Sequence, residues 1–399
     1  MAFPIVQTAP ADSSMAVTFI HTADWQLGKT FASIHEESKR NRIQQARFQT
    51  LRNLADQAAA SSASFILVAG DLFDSSQATK ATVSAACAAI GAMEIPVLVI
   101  PGNHDHAGPA SIWEQEFFKR EQLDLAPNLQ VILKPEPLHL ESAVIYPAPL
   151  LRRHDAGDPT AWIRSAVMDH DLPRIVLAHG TVQGFGSSLD DEHNSSSVVN
   201  WIDLSRLPLD AIDYIALGDW HGTKQVGPKA WYCGTPEIDR FPKGDANDPG
   251  NFLKVTVTRG QAPIVEKVTS SRFLWKKIAF RFSEDASLAH FSTQMSETLG
   301  QRADEQLLSL ALDGSLGIEA SGNLEKILES WESRLLRLKL EHRVTIAPTD
   351  EEIIALTYRS DDPLIATVAG QLVSQIHGTG EDAAIARLAL RELYSACLA

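Results

Sequence analysis

Side chains that can bind metal ions recur directly after apolar stretches of this sequence. Each set stands where an apolar run gives way to a turn, and the sets are Asp24 and Gln26, Asp71 and Asp74, Asn103 and His104, His179, and Asp219 and His221. Hydrolysis of a phosphate ester by two cations about 3.5–4 Å apart requires a carboxylate that contacts both ions, together with further oxygen and nitrogen ligands. Asp71 is the natural bridge, because one carboxylate has two oxygens and can serve two ions. The pattern therefore predicts a binuclear metal site that hydrolyses phosphate esters.

The elements that position these side chains are predicted strands of an α/β fold. Apolar runs that end just before the metal-binding side chains cover residues 17–21, 65–68, 96–100, 174–179 and 213–218. Helical stretches at 36–60 and 78–93 separate the first three strands, and this alternation predicts parallel pairing with right-handed crossovers. Ligands collect at the carboxyl ends of such strands. Residues 231–237 and 252–258 predict strands of a second sheet packed behind the first.

The pattern of strands and helices changes near residue 270. Apolar strands near 273–282, 307–313 and 335–344 alternate with helices, and the chain after residue 350 is predicted to be helical. We therefore divide the sequence into four segments: a flexible leader at 1–16, a main domain at 17–270, a small α+β domain at 271–348, and a helical C-terminal segment at 349–399.

The bulk composition is typical of a globular protein of the cytosol. Hydrophobic residues make up 44% and charged residues 21% of the chain, and no apolar run approaches the ~20 residues of a membrane span. The first residues lack the pattern of a secretory signal, and the three cysteines are too widely spaced for a disulfide framework. We therefore expect a cytoplasmic protein that does not bind membranes. The net charge of −15 is unusual for a protein that binds nucleic acid, although it says little about a local basic groove.

Five motifs in the order D-x-Q, GDLFD, PGNHD, AHG and GDWHG resemble the signature of calcineurin-like metallophosphoesterases. The segments HTADWQLGK and YCGTPE resemble more closely the SbcD-type nucleases, which are the exonuclease subunits of complexes that process DNA double-strand breaks. The resemblance covers about residues 17–345 and implies a two-sheet β-sandwich flanked by helices, with the small domain as a capping domain. It also implies DNA as substrate and an SbcC-type SMC-like ATPase as partner, and it allows a homodimer.

The resemblance also implies a role for each strand-end residue. It assigns the first metal to Asp24, Gln26, Asp71 and His221, and the second metal to Asp71, Asn103, His179 and Asp219. His104 would stabilise the charge that develops on the phosphate or protonate the leaving oxygen. Asp74 would orient His104, and a water activated by the two cations would attack the phosphorus.

Two positions depart from the family pattern. Gln26 stands where the family has a histidine, and Asp219 stands where it has the first histidine of its last motif. Both changes replace a nitrogen ligand by an oxygen ligand, which favours harder ions. We therefore expect two divalent ions, Mn²⁺ first and Mg²⁺ as the alternative, in preference to Zn²⁺. Two alternatives to direct metal binding stay open. In one, Gln26 hydrogen-bonds a metal ligand, and in the other, Asp219 is a turn residue that only hydrogen-bonds His221.

Two groups of basic residues are candidates for contact with DNA. The lysines and arginines at 39–52 either follow the DNA backbone or form a solvated helix face. Arg152 and Arg153 lie in a loop nearer to the expected cleft and are candidate substrate-binding residues.

The leading functional prediction is a metal-dependent DNA exonuclease of DNA repair, with endonuclease action on single strands as an extension of the same chemistry. Two alternatives remain. The net charge of −15 favours a phosphoesterase that acts on small molecules or proteins. The altered ligands Gln26 and Asp219 favour a weakly catalytic scaffold for an SMC-like ATPase.

Overall fold

The computed structural model describes residues 16–168, 171–182, 199–242, 247–378 and 380–398. Residues 1–15 of the predicted leader lie outside this part of the chain. The structure divides into two compact units, Met1–Arg272 and Phe273–Ala399. The second unit contains both the predicted small domain and the predicted C-terminal segment, which the sequence-based division had separated.

The described part of the first unit is built mainly from short buried strands. The strands are β1 (Val17–Thr22), β2 (Ile66–Val68), β3 (Val97–Val99), β4 (Leu129–Val131), β5 (Leu138–His139), β6 (Val144–Ala148), β7 (Arg174–His179), β8 (Thr181–Val182), β9 (Trp201–Ile202), β10 (Tyr214–Gly218), β11 (Lys224–Gly227), β12 (Ala230–Tyr232), β13 (Asn251–Val257) and β14 (Ile264–Thr269). The helices are α1 (Glu37–Ala60), α2 (Lys80–Gly91) and α3 (Glu116–Leu125).

Most of these strands form two six-stranded sheets, with the orders β14-β13-β1-β2-β3-β4 and β11-β12-β10-β7-β6-β5. Strands β1 to β4 are parallel, and so are β6, β7, β10 and β12. Their register aligns the strand ends, since Thr22 pairs with Val68 in one sheet and His179 pairs with Gly218 in the other. The carboxyl ends of the parallel strands therefore meet at one edge of each sheet, as predicted.

The two sheets pack face to face through apolar side chains. Phe19 and Leu67 of the first sheet and Leu177 and Tyr214 of the second belong to one buried cluster, and the rings of Phe19 and Tyr214 meet edge to face at 5.6 Å. Helices α1 to α3 cover the outer face of the first sheet with side chains such as Ile90. The predicted two-sheet sandwich flanked by helices is confirmed.

The second unit contains a parallel sheet of three strands in the order β15-β16-β17. Its elements are β15 (Leu274–Phe282), α4 (Ser287–Leu299), β16 (Gln306–Leu316), α5 (Ile318–Arg334), β17 (Arg337–Ile346), α6 (Asp350–Thr357), α7 (Pro363–Gln375) and α8 (Glu381–Leu398). Phe291 of α4 and Leu324 of α5 bury against Leu310 of the sheet. This is the predicted β-α-β-α-β arrangement.

Helices α6 to α8 form the predicted helical C-terminus and continue this unit. Ile318 at the start of α5 packs in one cluster with Leu356, Ala369 and Leu390. The carboxylate of Glu352 accepts from the main-chain N–H of Ile318 at 2.9 Å, which satisfies a hydrogen-bond donor at the start of α5 and places a negative charge there. Within the described chain, every helix is too short or too polar to span a membrane.

Candidate metal centre

Turns with left-handed backbone carry four of the predicted ligands. The φ angles of Asp24, Gln26 and Asp71 are 52°, 42° and 54°, and that of Asp219 is 102°. Residues other than glycine rarely adopt these φ values, and those that do so cluster at functional sites. Main-chain bonds hold the turns together, since the N–H of Asp24 donates to the Gly70 carbonyl at 3.1 Å and that of Gln26 donates to the Asp71 carbonyl at 2.9 Å.

Two glycines allow the metal-binding side chains to approach the backbone. A Cβ atom on Gly102 would lie 2.1 Å from Oδ1 of Asp71. A Cβ atom on Gly70 would lie 2.2 Å from Nδ1 of His179, and Gly70 also has a φ of +89°. Any larger residue would displace a predicted ligand at either position.

Asp24, Asp71 and His179 come together at the carboxyl ends of the strands. Each is buried, and each offers an atom that lies within 4.8 Å of the other two. Nε2 of His179 is also 3.7 Å from Oδ1 of Asp219, and the Asn103 amide donates to that same oxygen at 3.5 Å. We refer to Asp24, Asp71, Asn103, His179 and Asp219 together as the aspartate cluster.

Two ligand atoms of the aspartate cluster have no hydrogen-bond partner among the residues that the structure describes. These atoms are Oδ1 of Asn103 and Nε2 of His179, and both are buried. Nδ1 of His179 donates to the main-chain carbonyl of Ala69 at 2.7 Å, which leaves Nε2 as the ring atom that faces the carboxylates. Buried polar atoms normally have partners, so this cluster fits a divalent cation.

The charges in the aspartate cluster also fit a cation. Burial alone would lower the pKa of His179, but the carboxylates of Asp71, Asp219 and Asp24 raise it to about 9. Burial raises the pKa of Asp24 to about 6, and the nearby histidines act in the opposite direction. Carboxylates that hold a proton so strongly on a buried imidazole would hold a metal ion in its place.

Among the residues that the structure describes, Asp219 contacts other members of the aspartate cluster and not His221. Its main-chain N–H donates to Oδ2 of Asp24 at 3.2 Å, and its own Oδ2 accepts from Oγ1 of Thr181 at 2.9 Å. Its Oδ1 is the atom that faces His179. The alternative in which Asp219 only hydrogen-bonds His221 is wrong, because the described contacts join Asp219 to other residues.

His104 is held beside Asp71 by two contacts. Its main-chain N–H donates to Oδ1 of Asp71 at 2.9 Å. Its ring Nδ1 donates to the main-chain carbonyl of Asp74 at 2.8 Å. The Asp74 carboxylate lies instead 3.4 Å from Nζ of Lys29. The prediction that this carboxylate orients His104 is therefore wrong, since the main-chain oxygen of the same residue does so.

The remaining predicted ligands, Gln26 and His221, contact each other and two residues that the sequence did not single out. Nζ of Lys29 donates to Oε1 of Gln26 at 2.9 Å, and Nδ1 of His221 donates to Oδ1 of Asp239 at 3.0 Å. We refer to Gln26, Lys29, His221 and Asp239 as the lysine cluster. Lys29 ends the segment HTADWQLGK and Asp239 follows YCGTPE closely, so both lie beside motifs that resemble the family.

A further carboxylate, Asp105, joins two of the turns. It is fully buried and accepts from the main-chain N–H of Phe73 at 3.0 Å and from that of Gly102 at 2.8 Å. Burial raises its pKa to about 7, and the charge of Asp71 acts in the same direction. Its position in the PGNHD motif was the only signal in the sequence, and from that motif the prediction took only Asn103 and His104.

Arg47 on α1 supports the first turn from beneath. Its guanidinium donates to the main-chain carbonyl of Trp25 at 2.8 Å and to that of Asp24 at 3.4 Å. Only 3% of Arg47 is exposed, so it belongs neither to a solvated helix face nor to a DNA-binding surface. Glu237 of the YCGTPE segment accepts from the hydroxyl of Thr50 on the same helix at 2.6 Å, which ties that segment to α1.

Arg152 and Arg153 are exposed in the loop after β6. This loop packs on the one that carries His104, since the N–H of Ala107 donates to the Leu150 carbonyl at 2.9 Å. Partial burial lowers the pKa of His106, and the charge of Arg153 lowers it further. The charge of Arg153 therefore reaches the loop that carries His104.

Comparison with known families adds a direct assignment. The model of the calcineurin-like phosphoesterase family matches residues 17–223, which is more than half of the chain. The chain belongs to this family. It is a metallophosphoesterase, and the family's activity is metal-dependent hydrolysis of phosphoesters.

Individual relatives are distant. The chain is 26% identical over 347 residues to an uncharacterized metallophosphoesterase, YhaO, of Bacillus subtilis (strain 168), covering 80% of this chain and 78% of that protein. Among solved structures, it is similar to TT1561 of Thermus thermophilus, with a TM-score of 0.39 and 12% identity over 64% of this chain and 99% of that one.

Proposed function

We propose that this metallophosphoesterase is an exonuclease of DNA repair that hydrolyses DNA phosphodiester bonds and extends this chemistry to single strands. The observation that carries the proposal is the contact between the loop at 150–153 and the loop that bears His104. The exposed Arg152 and Arg153 come two and three residues after Leu150, whose carbonyl accepts from Ala107. Two exposed arginines in a loop that packs on the loop bearing His104 suit a substrate with several phosphates, such as a nucleic acid backbone.

His104 is the residue that acts on the leaving oxygen in this proposal. Its Nδ1 donates to the Asp74 carbonyl, so Nε2 is the ring atom left to exchange a proton with the substrate. The side chain is partly exposed, as a group that meets substrate must be. A bound divalent cation supplies positive charge to the phosphoryl oxygens and lowers the pKa of a water molecule.

The aspartate cluster supports Mn²⁺ as the cation, with Mg²⁺ as the alternative. Oxygen ligands would come from Asp24, Asp71, Asn103 and Asp219, whereas His179 would supply the nitrogen ligand of the cluster. A set so rich in oxygen suits hard cations better than Zn²⁺, which favours nitrogen and sulfur.

The proposal extends to an assembly in the cytoplasm with an SbcC-type SMC-like ATPase. Three features support it, of which two are the YCGTPE segment, tied to α1 through Glu237, and the β-α-β-α-β unit that resembles a capping domain. Helices α6 to α8 also expose large apolar side chains, namely Ile354, Tyr358, Leu364, Ile385 and Leu388. Size-exclusion chromatography of the purified protein tests the additional expectation of a homodimer.

A second candidate function is hydrolysis of a small phosphodiester or a phosphoprotein. The net charge of −15 favours it, because a strongly acidic protein repels a long polyanion at a distance. The two candidates differ in whether Arg152 and Arg153 matter for turnover.

The deciding experiment compares labelled linear DNA with bis-p-nitrophenyl phosphate as substrates in the presence of Mn²⁺. We expect wild type to shorten DNA and His104→Ala to lose ~10²–10⁴-fold of its rate on both substrates. The double variant Arg152→Ala/Arg153→Ala should lose activity on DNA and keep activity on bis-p-nitrophenyl phosphate. Arg120→Ala, which removes an exposed arginine on α3, is the matched control and should act as wild type.

The two candidates predict opposite outcomes in this assay. Hydrolysis of the small diester without any shortening of double- or single-stranded DNA, with either Mn²⁺ or Mg²⁺, would reject the nuclease and support the second candidate. Equal activity of the double variant and wild type on DNA would reject the role of Arg152 and Arg153 in DNA binding, on which the nuclease proposal depends.

A further inference from the structure

The lysine cluster is a closed set of contacts at the place where the family would hold its first metal. Nδ1 of His221 lies 3.0 Å from Oδ1 of Asp239, and Nε2 of His221 lies 3.3 Å from Nε2 of Gln26. Oε1 of Gln26 accepts from Lys29 at 2.9 Å, and Nζ of Lys29 lies 3.1 Å from Oδ2 of Asp239. The four side chains therefore form a ring.

The direction of each contact is fixed by the charges. Oδ1 of Asp239 faces Nδ1 of His221, and its Oδ2 lies 3.1 Å from the ammonium group of Lys29, so the group is a carboxylate held in an ion pair. An ionised carboxylate only accepts, so Nδ1 of His221 is the donor and Nε2 is left with a lone pair. The amide nitrogen of Gln26 donates to that lone pair, and its oxygen accepts from the ammonium group of Lys29.

Two of the four side chains that the resemblance assigns to the first metal are therefore already engaged. The His221 lone pair faces the amide nitrogen of Gln26, and the Gln26 oxygen faces the ammonium group of Lys29. In the aspartate cluster the opposite holds, because Oδ1 of Asn103 and Nε2 of His179 have no partner among the described residues. The residues present fit a cation in the aspartate cluster and do not fit one in the lysine cluster.

Positive charge adds to this mismatch. Besides Lys29, the guanidinium of Arg240 lies 3.2 Å from Nε2 of His221 and 3.3 Å from Nδ1, which places it against the imidazole ring. A divalent cation bound by His221 would therefore lie beside two side-chain cations. Like charges at such short distances repel strongly when water is partly excluded.

We propose that this protein holds one divalent cation, in the aspartate cluster, and that the ammonium group of Lys29 takes the place of the first cation of the family. Gln26 makes this exchange possible, because an amide presents an acceptor to Lys29 and a donor to His221. Lys29 is then a positioning residue that keeps the charge of the site balanced through Gln26, Asp74 and Asp239. The proposal concerns the metal content and holds whichever phosphoester is the substrate.

The test counts metal ions and does not use activity. Wild-type protein is stripped with chelator, equilibrated with excess Mn²⁺, dialysed, and analysed for manganese per chain. We expect one ion per chain and the electron paramagnetic resonance signal of an isolated Mn²⁺. Two ions per chain with the exchange-coupled signal of a pair about 3.5–4 Å apart would overturn the proposal.

A second experiment with two variants tests whether Gln26 and Lys29 limit the protein to one metal ion. The double variant Gln26→His/Lys29→Met restores the histidine of the family and removes the ammonium, so it should bind two ions and give the coupled signal. Lys119→Met changes an exposed lysine of α3 and should keep one ion. A folded double variant, checked by circular dichroism, that still binds one ion would reject the role of these two residues. If the double variant does not fold, the count on wild type still decides the proposal.

Discussion

The aspartate cluster and the lysine cluster occupy the two halves of one family site, yet their ligand atoms differ in state. In the aspartate cluster, Nε2 of His179 points at carboxylates and has no hydrogen-bond partner among the described residues. In the lysine cluster, Nε2 of His221 meets the Gln26 amide, whose oxygen is held by Lys29. The comparison teaches that one exchange of histidine for glutamine changes the set of partners of a whole half-site, because an amide supplies a donor and an acceptor together.

Removal of one imidazole from each cluster should show this difference most clearly. His179→Ala should weaken Mn²⁺ binding by more than ~100-fold, which exceeds the effect of losing a residue that only supports a ligand. His221→Ala should change Mn²⁺ affinity by less than ~10-fold by the same comparison. Isothermal titration calorimetry measures both affinities. Equal losses in the two variants would show that both clusters bind the ion.

Metal binding should also stabilise the fold through the aspartate cluster alone. Mn²⁺ at 100 times its Kd should raise the free energy of unfolding by about 2.7 kcal/mol, because the ion binds only the folded chain. This corresponds to a rise in Tm of about 5–10 °C for a unit of this size. Thermal unfolding with and without chelator measures the shift. His221→Ala should keep it and His179→Ala should lose it, and a shift retained in His179→Ala would contradict the assignment.

Gly102 allows a test of the aspartate cluster without removal of any ligand. In Gly102→Ala the new Cβ would lie 2.1 Å from Oδ1 of Asp71, so the carboxylate must move. We expect a loss of about 1–3 kcal/mol in the free energy of unfolding and weaker Mn²⁺ binding. Chemical denaturation and calorimetry measure the two effects. Gly227→Ala is the matched control, since its Cβ would meet ordinary contact at 3.4 Å, and equal behaviour of the two variants would refute the steric argument.

The smallest effect on metal affinity is expected for Asp239→Asn. This change removes the charged acceptor of His221 but leaves every residue of the aspartate cluster in place. If His221 does not bind the ion, Mn²⁺ affinity should change by less than ~3-fold, whereas the acceptor of a metal-bound histidine is worth ~10–100-fold. The same titration measures it, and a loss in the larger range would place a metal ion on His221.

The sequence predicted the fold and the members of the aspartate cluster because both depend on local pattern. Asp24 and Asp71 follow buried parallel strands of the first sheet, and His179 ends a buried parallel strand of the second. The carboxyl ends of parallel strands meet at one edge of their sheet. The five-motif order then fixed which polar residues to consider. The structure brings these three together, as the resemblance implies.

The contacts of the lysine cluster could not be predicted in the same way. Lys29 and Asp239 are separated by more than two hundred residues, and nothing in either local pattern indicates that their side chains meet. The direction in which the Asp74 carboxylate points was equally inaccessible, because its main-chain oxygen and its side chain compete for His104. Burial of Arg47 was missed because a basic residue on a helix is usually solvated.

Asp105 has a consequence for how quickly the protein loads its ion. By accepting from Phe73 and Gly102, its carboxylate fixes the GDLFD and PGNHD turns relative to each other through contacts that need no metal. The ligand-bearing turns are then already in place when an ion arrives. The slow step of uptake therefore becomes the loss of water from the ion itself. Mg²⁺ gives up its water reluctantly. Mg²⁺ should therefore load more slowly than Mn²⁺ when the two ions are supplied at equal concentration.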